Sequence, residues 1–214
     1  FFQPWERISL CFSPAYAILF DKLMKEVKTM ARYEEIFQGK SQTFTIRNAT
    51  GSDAQGLISY MIQVNQETTF LSMEPGEFER SYPVEKEQIY LDSIAQSQDR
   101  QLLIAISETG EIAGNCRCEY PGDRQRLRHT AVLDISVRKD YWRQGLGRRL
   151  MEVQEAWAKS QGVEKLCLEV DTANLPAIGL YLRQGFTVEG TLLNQIKMAD
   201  GSYRHLYVMG KLLQ

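Results

Sequence analysis

Long apolar runs are missing from this 214-residue chain. The opening stretch Ile8 to Phe20 is apolar, but Pro14 interrupts it and it is too short to cross a bilayer. It has no basic leader and no clear small-residue cleavage site, so a secretory signal and a membrane partner are not expected and the expected compartment is the cytoplasm. An excess of one charge is missing too: 25 Lys and Arg stand against 27 Asp and Glu, for a net charge of −2. General polyanion binding rests on surplus Lys and Arg, so nucleic acid is not an expected partner. A local cationic pocket for one phosphorylated cofactor remains open. Cysteine and histidine are scarce. Of Cys11, Cys116, Cys118 and Cys167 only the middle two are close, and His129 and His205 lie far along the chain. That spacing is not a zinc pattern, so no metal and no disulfide framework is expected, and buried, reduced thiols are the ordinary alternative. Repeats and low-complexity stretches are absent.

What is present reads as an ordinary folded domain: 43% hydrophobic and 24% charged residues, in a chain long enough for one buried core. Residues 1–42 differ in character and read as an N-terminal extension, with an amphipathic helix expected from about Asp21 to Phe37. The chain opens at Phe1, and Met24 and Met30 are candidate native starts. From Thr43 the pattern is regular. A short strand at Phe44 is followed by a helix capped at Ser52-Asp53 and running to about Thr68. A loop with Pro75-Gly76 and a helix from Val84 to Ser97 come next. Three strands are expected at Gln101 to Ser107, Glu111 to Glu119 and Thr130 to Val137, the first two joined by a tight turn at Thr109-Gly110. A helix from Gly145 to Gln161, a strand from Lys165 to Val170 and a helix from Leu175 to Gln184 follow. Two strands, Phe186 to Leu193 and Arg204 to Leu212, pair across Asp200-Gly201. Helices interleaved with strands and hairpins make the fold class α/β (α+β), a mixed sheet packed by helices.

The most informative segment runs from Leu133 through Asp134, Ile135, Ser136 and Val137 to Arg143-Gln144-Gly145-Leu146-Gly147-Arg148-Arg149-Leu150. A strand ends, a basic turn with two glycines follows, and an amphipathic helix begins. Glycine lets backbone approach a ligand closely, and the free N–H groups of a helix's first turn favour an anion such as a pyrophosphate. Arginine at that end opposes the helix dipole unless an anion is bound. No Gly-Lys-Ser/Thr follows, so this is not a P-loop, and the third glycine of a dinucleotide fingerprint is missing. On the glycines alone, a tight strand-to-helix turn is the commoner explanation. A second constellation is Asn174-Leu-Pro-Ala177-Ile-Gly-Leu-Tyr181-Leu-Arg-Gln-Gly185-Phe186, where Asn174 is an N-cap and Pro176 sits in the first turn. Tyr181 is either a core tyrosine or a phenol placed to protonate a departing thiolate, a task suited to a weak acid.

In this order the segments resemble the GCN5-related N-acetyltransferase (GNAT) superfamily, over about Thr43 to Leu213. The resemblance implies a mostly antiparallel central sheet flanked by helices, with residues 43–214 as the acetyltransferase domain, and acetyl-CoA as co-substrate without a metal. It implies that Ile135, Ser136 and Val137 hydrogen-bond the pantetheine arm. The amides from Arg143 to Arg148 (Gln144, Gly145, Leu146 and Gly147 between them) would hold the pyrophosphate. Asn174 would contact the cofactor near its thiol and Tyr181 would be the general acid. Two departures stand out: Trp142 occupies a place where the family usually has Gln or Arg, and Ala131 and Leu133 stand where many relatives carry a glutamate. Asp134 is then the candidate catalytic carboxylate, with Glu119 and Glu169 as weaker ones. The same resemblance implies a small-molecule or peptide amine as acceptor, entering by Glu67 to Phe78, Arg124 to His129 and Leu193 to Tyr203, with a protein N-terminal acetyltransferase or a non-catalytic acetyl-CoA-binding module as the alternatives. Glu67, Glu74 and Glu77 could attract a cationic amine, while Arg124, Arg126 and Arg128 could reach the cofactor's adenosine phosphate. Pairing through the last strands offers a route to a homodimer.

Overall fold

The computed structural model describes residues 33–121 and 124–213, and from Glu34 onward the chain forms one compact unit. Eight strands lie in one sheet in the order β1-β2-β3-β4-β5-β6-β8-β7. They are β1 (Glu34–Gln38), β2 (Thr43–Asn48), β3 (Arg100–Ser107), β4 (Ile112–Glu119), β5 (Thr130–Val137), β6 (Lys165–Asp171), β7 (Thr187–Lys197) and β8 (Tyr203–Leu212). The helices are α1 (Ala54–Glu67), the short α2 (Glu77–Ser81), α3 (Val84–Ala95), α4 (Leu146–Ser160) and α5 (Leu175–Arg183). Every neighbouring pair is antiparallel except β5 and β6, as the mixed, mostly antiparallel expectation required.

Alternation along the strands builds two cores. On one face α1 and α3 cover Leu102, Ile104 and Ile112 with Leu57, Tyr60, Val64, Leu91 and Ile94. On the other, α4 lies over β3, β4 and β5 and brings Leu146, Leu150 and Val153 inward, as its heptad-like spacing predicts. Gln154 is buried there and donates to the Cys116 carbonyl at 2.6 Å. Cys116 and Cys118 are buried and unbridged on adjacent same-face positions.

The helix expected over Asp21 to Phe37 is corrected where the structure describes it: Glu34 to Phe37 belong to a strand, and residues 21–32 lie outside the described residues. Pairing with β2 decides the conformation, because Phe37 stacks on Phe44 (6.4 Å) while Ile36 points to solvent. β7 also runs further than expected, through a bulge at Asn194 whose φ is 55°.

The entry to α1 carries one stability prediction. Asp53 accepts from Arg47 (2.7 and 2.8 Å) and from the Thr50 amide (2.8 Å). Burial pushes its carboxyl up, but the Arg47 and Thr50 hydrogen bonds outweigh that, leaving it below the ordinary carboxylate range. A depressed carboxylate stabilises the fold above its unfolded value and loses that contribution as pH falls through the folded one. Asp53→Asn is therefore expected to cost about 1 kcal/mol at pH 7, and the difference from wild type in thermal melts closes as pH falls through the depressed folded value.

Candidate active site

The two parallel strands at the centre of the sheet begin together and then part. β5 and β6 are registered only from Thr130↔Lys165 to Val132↔Cys167, although β5 continues to Val137 and β6 to Asp171. β6 is instead paired along its length with β8, and β5 with β4. The last residues of β5, including Ile135, Ser136 and Val137, thus have one backbone edge facing a gap in the sheet. An extended ligand can add to such an edge as a strand does.

Around this gap the candidate residues fall into place from several elements. Asp134 lies on β5, directly opposite Arg117 of β4. Its Oδ2 accepts from Arg117 Nε (3.0 Å) and Nη2 (2.5 Å), and Arg117 Nη1 donates to the Tyr90 hydroxyl (3.1 Å). The Asp134 side chain is 56% exposed, so Oδ1 faces outward while Oδ2 is held. Burial alone would lower the Arg117 guanidinium, but Asp134 and Tyr90 reverse that and hold it firmly charged. Neighbouring Ser136 donates to Asn115 Oδ1 (2.9 Å) and shares a hydrogen bond with the Tyr60 hydroxyl (2.8 Å), on the face covered by α1. Tyr181 approaches from α5. Only 7% of it is exposed, and its phenol is pushed up by burial, reinforced by the Cys116 thiol and the Asp134 carboxylate.

At the far end of β5 the chain makes a short 3-10 turn (Lys139–Tyr141) and enters α4. Arg143 (φ 61°) and Gly145 (φ 85°) are both left-handed, the pattern that turns successive N–H groups toward one point. Gly147 sits where β5, α4 and α5 converge: a Cβ there would lie 3.3 Å from Leu180 and 3.8 Å from Ile135 and Val137. Leu146 is buried beneath the turn. Trp142 is accounted for, because its indole donates to the Val137 carbonyl at 2.7 Å and so ties the strand end to the turn. Gln144 spends its side chain elsewhere, on Ser41. Asn174 caps α5 through Oδ1 to the Ala177 amide (3.3 Å), and its amide nitrogen has no protein partner among the described residues. Beside the turn, an open groove of about 460 Å³ runs between α4 and α5, lined by Arg148, Glu152, Leu180, Arg183 and Gln184. Arg148 is paired there with Glu152 at 2.7 Å.

Some expectations change. Arg124, Arg126 and Arg128 precede β5, whereas the glycine turn follows it, and eight residues of strand separate the two by about 25 Å. That loop leaves the sheet at the end of β5 opposite the glycine turn. Glu67 does lie at the mouth, since its Oε2 accepts from the Lys139 amide (2.7 Å), but Gln63 engages its other oxygen. Glu77 likewise accepts from the Glu74 amide (3.0 Å). The Glu67–Phe78 loop and β8 do meet: Arg204 reaches Thr69 (3.3 Å), lies 5.8 Å over the Phe70 ring and pairs with the buried Asp171 (3.4 Å). Arg117, Tyr60, Tyr90 and Arg204 were not singled out from sequence. The alternation Asn115-Cys116-Arg117-Cys118-Glu119 was the available signal for Arg117. No group of three His, Cys, Asp or Glu able to hold a metal occurs among the described residues. None of the described helices is long and apolar enough to cross a membrane.

A parallel pair splayed at its carboxyl end, next to a glycine turn and a capped helix bearing a tyrosine, defines an acyltransferase of the GNAT type. Residues 68–186 match the acetyltransferase (GNAT) family model, and the chain belongs to that family. It is 34% identical over 95 residues to streptothricin acetyltransferase of Streptomyces lavendulae, covering 44% of this chain and 49% of that protein. It is 33% identical over 103 residues to [ribosomal protein bS18]-alanine N-acetyltransferase of Escherichia coli, covering 48% of this chain and 66% of the other. The matched part thus spans about half to two thirds of these relatives. An acetyltransferase of the GNAT family from Streptococcus pneumoniae superposes with a TM-score of 0.73 at 34% identity, over 79% of this chain and 99% of its own. The fold is shared with yncA from Salmonella typhimurium, solved with acetyl-CoA (TM-score 0.67, 19% identity, 80% and 94% covered).

Proposed function

We propose that the protein transfers an acetyl group from acetyl-CoA to a primary amine of a small molecule or peptide, acting in the cytoplasm. The observation that carries this reading is the opened β5 edge, with the buried, protonated Tyr181 on one side and the left-handed turn into α4 beyond its end. The residues present fit the co-substrate. A linear arm would run along Ile135, Ser136 and the amide of Val137, whose carbonyl Trp142 holds, and the amides of Arg143 to Arg148 would take a pyrophosphate. The groove beside Arg148 and Arg183 would take the adenosine end, and Asn174 is placed to contact the arm near its thiol. The thioester supplies an activated acetyl carbonyl. An uncharged amine attacks that carbon and the carbon–sulfur bond breaks. Tyr181 gives its hydroxyl proton to the departing sulfur, and the proton that the amine nitrogen sheds as the amide forms passes to solvent, from which the phenol is restored.

Asp134 has a different standing from a free base. With Oδ2 held by Arg117 and Oδ1 exposed, its geometry suits holding an approaching amine or ammonium at the mouth. Asp134→Asn is expected to raise the acceptor KM about tenfold and lower kcat less. An equal fall in kcat at saturating acceptor, with loss of the acid limb of its pH profile, would assign it the base role instead. A protein N-terminus as acceptor is the second reading, favoured by the ribosomal-protein relative.

Calorimetry with acetyl-CoA, coenzyme A and a dinucleotide tests the co-substrate first. Selective binding of the two thiol cofactors is expected, and equal binding of the dinucleotide would sink the proposal. A panel of small amines, amino acids and peptides beginning in alanine, read by thiol release, then separates the two acceptor classes.

A further inference from the structure

The phosphate turn is held from outside, by the hairpin that β1 and β2 form at the sheet's edge. The Ser41 amide donates to Gln144 Oε1 (3.0 Å) and Gln144 Nε2 donates back to Ser41 Oγ (2.7 Å), a two-point clasp across 103 positions of sequence. A turn later, Arg149 donates to Glu35 of β1 from Nε (3.0 Å) and Nη2 (2.9 Å). Between these links Phe37 lies under the turn, its ring 3.5 Å from where a Cβ on Gly145 would stand. Phe44, 1% exposed, connects Phe37 to Tyr141 of the 3-10 turn by an edge contact of 5.8 Å. Gly39 completes the fit, for a side chain there would meet the Gln42 carbonyl at 2.8 Å and Gln144 Oε1 at 3.1 Å. The hairpin lies outside the stretch that matches the family model.

Arg143 shows why such a hold matters. A non-glycine residue at φ 61° is a strained conformation that its surroundings must maintain. A loop already fixed in its binding geometry loses less entropy when an anion arrives. We propose that the β1–β2 hairpin is a brace that presets the pyrophosphate turn, and that Ser41 and the Gln144 side chain are positioning residues for acetyl-CoA. This rests on the co-substrate reading above. Gln144 meets the cofactor through its backbone amide, and its side chain serves the clasp.

Ser41→Ala removes one arm of the clasp and Ser41→Thr retains both. In the full chain, Ser41→Ala is expected to raise the acetyl-CoA Kd and KM roughly five- to tenfold, the effect of about one hydrogen bond. The acceptor KM and kcat at saturating acetyl-CoA stay at wild-type values, and Ser41→Thr restores affinity. Gln144→Ala weakens binding at least as much, and adding Ser41→Ala to it weakens it no further. In the free protein, hydrogen exchange at the Gly145 to Gly147 amides speeds up in Ser41→Ala. Weakening by Gln144→Ala but not by Ser41→Ala, or additive effects in the double variant, would overturn the brace and assign the Gln144 side chain directly to the cofactor. Should wild type bind no acetyl-CoA, the co-substrate reading fails, and unchanged exchange in Ser41→Ala would then dismiss the brace on its own.

Discussion

Tyr181→Phe is expected to lower kcat by about 100-fold while leaving the acetyl-CoA dissociation constant within twofold of wild type. The ring is a packing element, 6.1 Å from Phe186 and almost wholly buried, and phenylalanine keeps that packing. Only the hydroxyl is lost, and in the proposed acid role its contribution is confined to the moment when the carbon–sulfur bond breaks. Burial first, then the nearby Cys116 and Asp134, raise the phenol above the ordinary tyrosine value near 10. An acid acts while protonated, so its activity is present at low pH and lost as pH rises through that raised value. Any alkaline limb of kcat belonging to Tyr181 thus lies above about pH 10, and a limb seen between pH 7 and 9 reports another group, the acceptor amine first. Stopped-flow turnover with calorimetry on the same variant checks both halves. An unchanged kcat would return Tyr181 to the core as a packing residue.

The parts of the site legible in the sequence are those whose chemistry is local. Gly145, Gly147 and Asn174 were readable because a left-handed residue, a close approach of three elements and a helix cap each demand a residue type at one position. The roles expected of Tyr181 and Asp134 came with the family resemblance, since nothing local marks a helix phenol or a strand carboxylate as catalytic. Arg117 was not readable as Asp134's partner. Their pairing depends on the register of β4 against β5, which no residue of either strand states by itself. The brace was hidden for the same reason: Ser41 and Gln144 meet only once β1 has joined the sheet edge, and a five-residue strand with one inward aromatic has no period to read. The place of the Arg124–Arg128 loop needed a topological step, since a loop that precedes β5 leaves the sheet at the end opposite the turn that follows it.

Gly145→Val should abolish measurable acetyl-CoA binding, a loss of at least about 100-fold, in a protein that still folds. Space is not the obstacle, because a Cβ at Gly145 would be 3.5 Å from Phe37, an ordinary contact. The obstacle is φ 85°, which a β-branched residue adopts only at a cost of about 2 kcal/mol or more. Either the backbone stays and the fold carries that strain, seen as a melting point lower by several degrees, or the turn relaxes to negative φ. Relaxation would swing the first N–H groups of α4 away from the point they share with Arg143, and binding is lost with little change in melting. Gly145→Asn separates conformation from bulk, since asparagine tolerates the left-handed region. It is expected to keep acetyl-CoA within about tenfold of wild type, whereas equal loss in both variants would mean that the side chain itself blocks the ligand. Full affinity in Gly145→Val at an unchanged melting point, the mark of a relaxed turn, would show that the cofactor's phosphates do not lie there.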